Sequence, residues 1–177
     1  ATLSVLGIIG DVHDQNLSKV YDEIIKDSEA TIKRGPLMYP ATRPINKVLE
    51  YNSSPYIPGV TGSPLGIRDL LREANVPQKN GVYKSIFELT QEEMANLTTA
   101  ILLRTKTTIK ETEIIGNLYL VKFHNKQEDA RELSALINAC SRMGHPEIAL
   151  GFCLGNKAYK EKGETIYREY KQQLVSA

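Results

Sequence analysis

The chain opens on a near-continuous apolar run, Leu3-Ser-Val-Leu-Gly-Ile-Ile9, which ends in Gly10 and Asp11. A short run of this kind, closed by a glycine and an acid, reads as a strand buried on both faces that delivers a carboxylate at its carboxyl end. In a parallel sheet, ligands bind beyond such ends. A turn and a helix are expected next, with Asn16 as cap and Val20, Ile24 and Ile25 as the apolar stripe. No earlier strand precedes this one, so the expectation is that the chain is a piece of a larger protein.

The pattern then changes. Residues 35–89 hold seven of the eight prolines. Pro55-Tyr-Ile-Pro-Gly59 and Thr61-Gly-Ser-Pro64 must be loops, because proline fixes its own backbone and restricts the residue before it. Short helices fit between them. One spans about residues 44–51, with Ile45, Val48 and Leu49 inward. Another spans about residues 64–74, with Ser63 as cap, Pro64 at the first helical position and Ile67, Leu70 and Leu71 inward. Thr90-Gln-Glu-Glu93 is a capping box that starts a helix running through Leu97, Ile101 and Leu102.

From residue 109 onward the pattern predicts a strand or hairpin arm at residues 114–123 and an amphipathic helix over 128–143. Ala130, Leu133, Ile137 and Cys140 lie on one face of that helix, with Gly144 as its stop. A buried strand is expected at 148–154. A terminal helix follows over 157–175, with Ile166, Tyr170 and Leu174 inward and Gly163 weakening it by up to ~1 kcal/mol. The fold class is therefore α/β, a mostly helical middle followed by a small α/β unit. The boundaries fall at 1–34, 35–108 and 109–177.

Charge narrows the function classes. With 22 basic against 21 acidic residues the net charge is +1, which argues against a strongly basic nucleic-acid binder but leaves room for a local patch. The two cysteines, Cys140 and Cys153, sit in apolar contexts and form no CxxC pair, so buried free thiols and a reducing compartment are expected. No apolar stretch reaches the ~18 residues of a membrane span. The expected location is cytoplasmic.

Three clusters carry candidate chemistry. Asp11, His13 and Asp14 are a hard-oxygen and imidazole set suited to Mg²⁺ or Mn²⁺. The alternative is a polar strand end leading into a cap, and three residues in one cluster do not complete a two-metal site. Arg142-Met-Gly-His145 offers charge and close approach for a phosphate or a single strand, or is a plain helix stop. Asn138 lies one turn from Arg142. Asp129, Arg131 and Glu132 nearby could form a solvated face. Tyr51, Tyr56 and Tyr83 lie in the loop-rich middle, where tyrosines either contact a partner or cover the core from outside.

Several blocks in order carry a resemblance: Thr42-Arg-Pro-Ile-Asn-Lys-Val-Leu-Glu-Tyr51, Pro55-Tyr-Ile-Pro-Gly-Val-Thr-Gly62, Asp129-Ala-Arg-Glu-Leu133, Asn138-Ala-Cys-Ser-Arg142 and Gly151-Phe-Cys-Leu-Gly155. Together the chain resembles the archaeal RecJ-like proteins of the DHH phosphoesterase superfamily, of the GINS-associated nuclease type. The resemblance implies that Gly10-Asp11 is the fourth acidic motif, with Asp11 a Mn²⁺ or Mg²⁺ ligand in the intact enzyme. The Asp-His-His motif would lie upstream of residue 1. No metal is expected on this piece alone, which should be inactive. The middle region would dock onto GINS, with Arg43, Tyr51 and Tyr56 as contacts. The last region would begin the domain that grips single-stranded DNA or RNA, with Arg131, Asn138, Arg142 and His145 as contacts.

Three outcomes follow. The parent is a single-strand-specific exonuclease of archaeal replication or repair, with this piece serving GINS binding. Or the parent is a non-catalytic replication scaffold. Or the similarity is fortuitous, and Asp11 is only a cap.

Overall fold

The computed structural model describes residues 1–12, 17–52, 54–105 and 110–176. The chain divides into two units, one discontinuous (Ala1–Thr31 with Leu120–Ala177) and one formed by its middle (Ile32–Tyr119). The fold is α/β, as the sequence pattern predicts.

In the discontinuous unit the first element departs from expectation. The opening apolar run is a helix, α1 (Thr2–Gly10), and Asp11 is its C-cap rather than the end of a strand. A short apolar run does not distinguish the two by hydrophobicity. Its interruptions do. Ser4 and Gly7 are exposed while Val5, Leu6, Ile8 and Ile9 are buried, which is helical spacing. Helix α2 (Lys19–Lys26) is capped by the Ser18 hydroxyl, which accepts from the Tyr21 amide at 3.3 Å. The Asn16 cap lies outside the described residues. Ile25 is buried in this helix, while Val20 is exposed.

The unit resumes in strand β4 (Ile115–Phe123), whose residues from 120 onward pair antiparallel with β5 (Lys126–Asp129). The two-residue turn uses His124 and Asn125, both at positive φ, the twist that suits a tight hairpin. Three helices follow: α7 (Ala130–Arg142), α8 (Pro146–Cys153) and α9 (Lys157–Ser176). Helix α8 occupies the segment read as a second strand. Pro146 stands at its first turn, with φ preset for a helix, and buried Ala149 and Phe152 are three apart. Helix α7 packs against α1, α8 and α9. The Ser134 hydroxyl donates to the Leu6 carbonyl at 2.7 Å, joining α7 to α1. Gly163 brings α9 close to α7, because a Cβ there would stand 2.8 Å from Leu136 Cδ2. Ile166 is buried on α9, but Leu174 is exposed.

In the middle unit, β1 (Thr31–Pro36) lies beside β4, and Leu37 donates its amide to the Ile114 carbonyl at 2.7 Å. Helices α3 (Ile45–Tyr51), α4 (Pro64–Glu73) and α5 (Gln91–Thr105) surround a core that includes Met38, Leu49, Ile57, Leu70, Leu71, Leu97 and Ile101. The short α6 (Glu111–Ile114) leads into β4. Ser63 caps α4 by accepting from the Gly66 amide at 3.2 Å, and Thr90 and Glu93 close the box at the start of α5. A hairpin of β2 (Gln78–Lys79) and β3 (Val82–Tyr83) turns on Asn80 and Gly81.

Candidate functional site

The middle unit presents its tyrosines on rigid supports. Between α3 and α4 the loop is anchored from inside by Ile57 and Val60, both fully buried. The Asn52 amide donates to the Pro55 carbonyl at 3.0 Å, and the Ile57 amide donates to the Thr61 hydroxyl at 3.0 Å. The loop then lies directly on the first turn of α4. A Cβ at Gly66 would sit 1.7 Å from the Gly59 carbonyl oxygen, so only glycine permits this approach. Gly59 and Gly62 both take positive φ along the way. The alternation of this segment thus buries Ile57 and leaves Tyr56 projecting at 56% exposure. Tyr51, on the last turn of α3, is 77% exposed. Neither ring covers the core. Arg43 is exposed just before α3. Tyr83 is half-buried.

Tyr51 stands on the same helix face as Lys47, whose ammonium pairs with Glu50 at 2.8 Å. Lys47 beside Glu50 holds that carboxyl below its usual range and lifts the lysine above its own. Next to them lies an open cavity of about 300 Å³, walled by α3, α4 and the β2–β3 hairpin. Gln78 and Tyr83 are cross-strand partners in that hairpin, so both side chains lie on one face of it. Arg68 and Gln78 belong to no sequence motif. Nothing in their spacing separates them from other surface residues, and only the fold gathers them.

In the discontinuous unit the candidates spread along α7. Asp129 caps it, accepting from the amides of Arg131 at 2.8 Å and Glu132 at 3.2 Å. Asp129 is 1% exposed, so this end of the helix is a buried cap and not a solvated face. Arg131 is half-buried in the first turn. Arg142 ends the helix, and its guanidinium donates to the Tyr170 hydroxyl of α9 at 2.8 Å. At 1.5 Å per residue, Arg131 and Arg142 stand about 16 Å apart along the axis. His145 is the exposed N-cap of α8, with Nδ1 3.5 Å from the Glu147 carboxylate.

Asn138 and Asp11 meet. Both line a cavity of about 210 Å³ in which Ser134, Leu6, Gly10 and Cys153 also take part. Asp11 therefore has an amide, a hydroxyl and a half-buried thiol nearby, and burial pushes that thiol's pKa up. Among the described residues no three His, Cys, Asp or Glu side chains lie close enough together to hold a metal ion. This donor set does not fit a Mn²⁺ or Mg²⁺ centre by itself. His13 and Asp14 lie outside the described residues. No helix among the described residues is long and apolar enough to cross a membrane.

Two comparisons bear on this arrangement. The chain is 24% identical over 180 residues to an uncharacterised protein of Methanocaldococcus jannaschii, an alignment that covers 99% of this chain and 39% of that protein. The chain thus spans about two fifths of the length of this relative. Residues 38–118 match the DHH-CID domain, and that stretch falls within the middle unit. The middle unit is thus similar to a DHH-family domain, and the match does not extend beyond that unit.

Proposed function

We propose that the middle unit is a protein-docking domain of a longer DHH-superfamily protein, and that its partner is GINS. One observation carries this reading. Within the stretch that matches the DHH-CID domain, two tyrosines project from supports that are themselves locked into the core. Exposed aromatic rings on rigid supports bring contact area at low entropic cost. Arg43, Tyr51 and Tyr56 are the contacts. The longer protein is a Mn²⁺- or Mg²⁺-dependent exonuclease on single-stranded DNA or RNA, with Asp11 completing a metal site whose other ligands lie elsewhere in that protein. Arg131, Asn138, Arg142 and His145 follow the strand.

Calorimetric titration of the chain with purified GINS tests the docking. Binding is expected, with at least a tenfold loss in a Tyr51→Ala/Tyr56→Ala double variant. No heat at tens of micromolar, or an unchanged affinity in the double variant, refutes it.

A further inference from the structure

The cavity between α3, α4 and the β2–β3 hairpin collects polar groups that the fold does not use. Among the described residues, the Asn46 amide, the Arg68 guanidinium, the Gln78 amide and the Tyr83 hydroxyl make no hydrogen bond or ion pair within the chain. All four line the same space. On its wall Lys47 and Glu50 neutralise one another at 2.8 Å, which leaves Arg68 as the uncompensated charge. Pro64 and Ile67 supply an apolar floor. A space of about 300 Å³ is at the small end for a ligand pocket and suits one side chain.

We propose that this cavity receives the carboxylate of an acidic side chain in a segment of a partner protein. The inference rests on the docking role proposed for the middle unit and names the chemistry that the dock reads. Arg68 has the fork of donors that pairs with both oxygens of a carboxylate. The Tyr83 hydroxyl and the two amides can donate to the remaining lone pairs. A peptide segment, rather than a free acid, is indicated by what flanks the lining residues. Tyr51 lies one turn from the lining residue Lys47 on α3, and Leu65, 63% exposed, lies three residues from Arg68 on α4, so exposed apolar area adjoins the cavity.

The test uses the full chain, labelled with ¹⁵N. It is titrated with N-acetylglutamate N-methylamide, with its glutamine counterpart, and with the pentapeptide acetyl-Ser-Leu-Glu-Leu-Ser-amide. The glutamate probe should shift the side-chain amide signals of Asn46 and Gln78 and the Arg68 Nε–H. The glutamine probe should bind at least tenfold more weakly, and Arg68→Gln should abolish the difference. The pentapeptide should bind at least tenfold more tightly than the single residue. Equal binding of the glutamate and glutamine probes, or no effect of Arg68→Gln, overturns the carboxylate site. A pentapeptide no tighter than the single residue overturns the assignment to a protein segment in favour of a free small acid. Parallel titration with GINS keeps the two readings apart. Probe binding without GINS binding sinks only the named partner. GINS binding that Arg68→Gln leaves unchanged, with silent probes, sinks only the cavity's role.

Discussion

At Gly66 the room for a side chain is already taken by backbone. A methyl group there would stand 1.7 Å from the Gly59 carbonyl oxygen and 2.8 Å from its carbon, and neither can swing away as a side chain would. Glycine in a helix ordinarily costs about 1 kcal/mol relative to alanine. Here the sign reverses. Gly66→Ala should destabilise the middle unit by about 3 kcal/mol, because the loop must lift and expose Ile57 and Val60. Urea unfolding followed by circular dichroism measures it, and an unchanged midpoint would contradict the close approach. Asp129 is the second residue whose surroundings decide its effect. It is 1% exposed and accepts from two amides at the start of α7. Asp129→Ala should cost about 2 kcal/mol, since the cap is lost and both amides stay buried without an acceptor. Asp129→Asn retains a capping oxygen and should cost less than half as much in the same assay.

Among elements, the caps of the middle unit set its acid sensitivity. The Ser85 amide donates to Glu88 at 2.7 Å and holds that carboxyl below its usual range. Burial pushes the Glu93 carboxyl up, but the Lys84 ammonium at 2.8 Å and the Thr90 amide at 2.8 Å outweigh it, and the net shift is downward. A carboxyl whose folded pKa is depressed binds fewer protons than in the unfolded chain, where it titrates near about 4.3. Its stabilisation is therefore present above that pH and is lost as pH falls through the folded value. The urea midpoint should drop between about pH 5 and pH 3, and Glu93→Gln should flatten the drop. Parallel profiles for the two proteins would exclude this cap as the cause. The Ser63 cap and the Thr90–Glu93 box were legible in sequence, whereas the Ser85–Glu88 box and the Ser18 cap were not. Also legible were α3 and α4, whose starts are marked by proline and serine. Pairing escaped as well. Asn80-Gly81 is the strongest two-residue hairpin signal, yet its strands are two residues long and carry no alternation to read. The two misread strands, at residues 3–9 and 148–154, share one cause. Their apolar content hides the helical period: in the first only Ser4 and Gly7 break the run, and in the second the exposed positions 150 and 154 are both leucine.

For the whole molecule, the balance of 22 basic and 21 acidic residues limits how the chain can hold a nucleic acid. Asp11 and Asn138 could be paired only in three dimensions, since 127 positions separate them in the chain and one cavity joins them. The proposed strand contacts are similarly visible as residue types, but their spread along α7 is a property of the fold. Arg131 and Arg142, about 16 Å apart, can neutralise at most about two phosphates. Each neutralised phosphate of a single strand contributes roughly −0.7 to the slope of log affinity against log salt, so a slope near about −1.4 is expected. Arg142→Gln removes one contact and should bring the slope to about −0.7, with no change in preference among base sequences, because a phosphate contact carries no sequence information. Fluorescence anisotropy with a labelled oligothymidine, between about 20 and 200 mM salt, reads both quantities. A slope steeper than about −3 would mean that cations other than these two follow the strand, and an Arg142→Gln slope equal to that of the unsubstituted chain would remove Arg142 from the path.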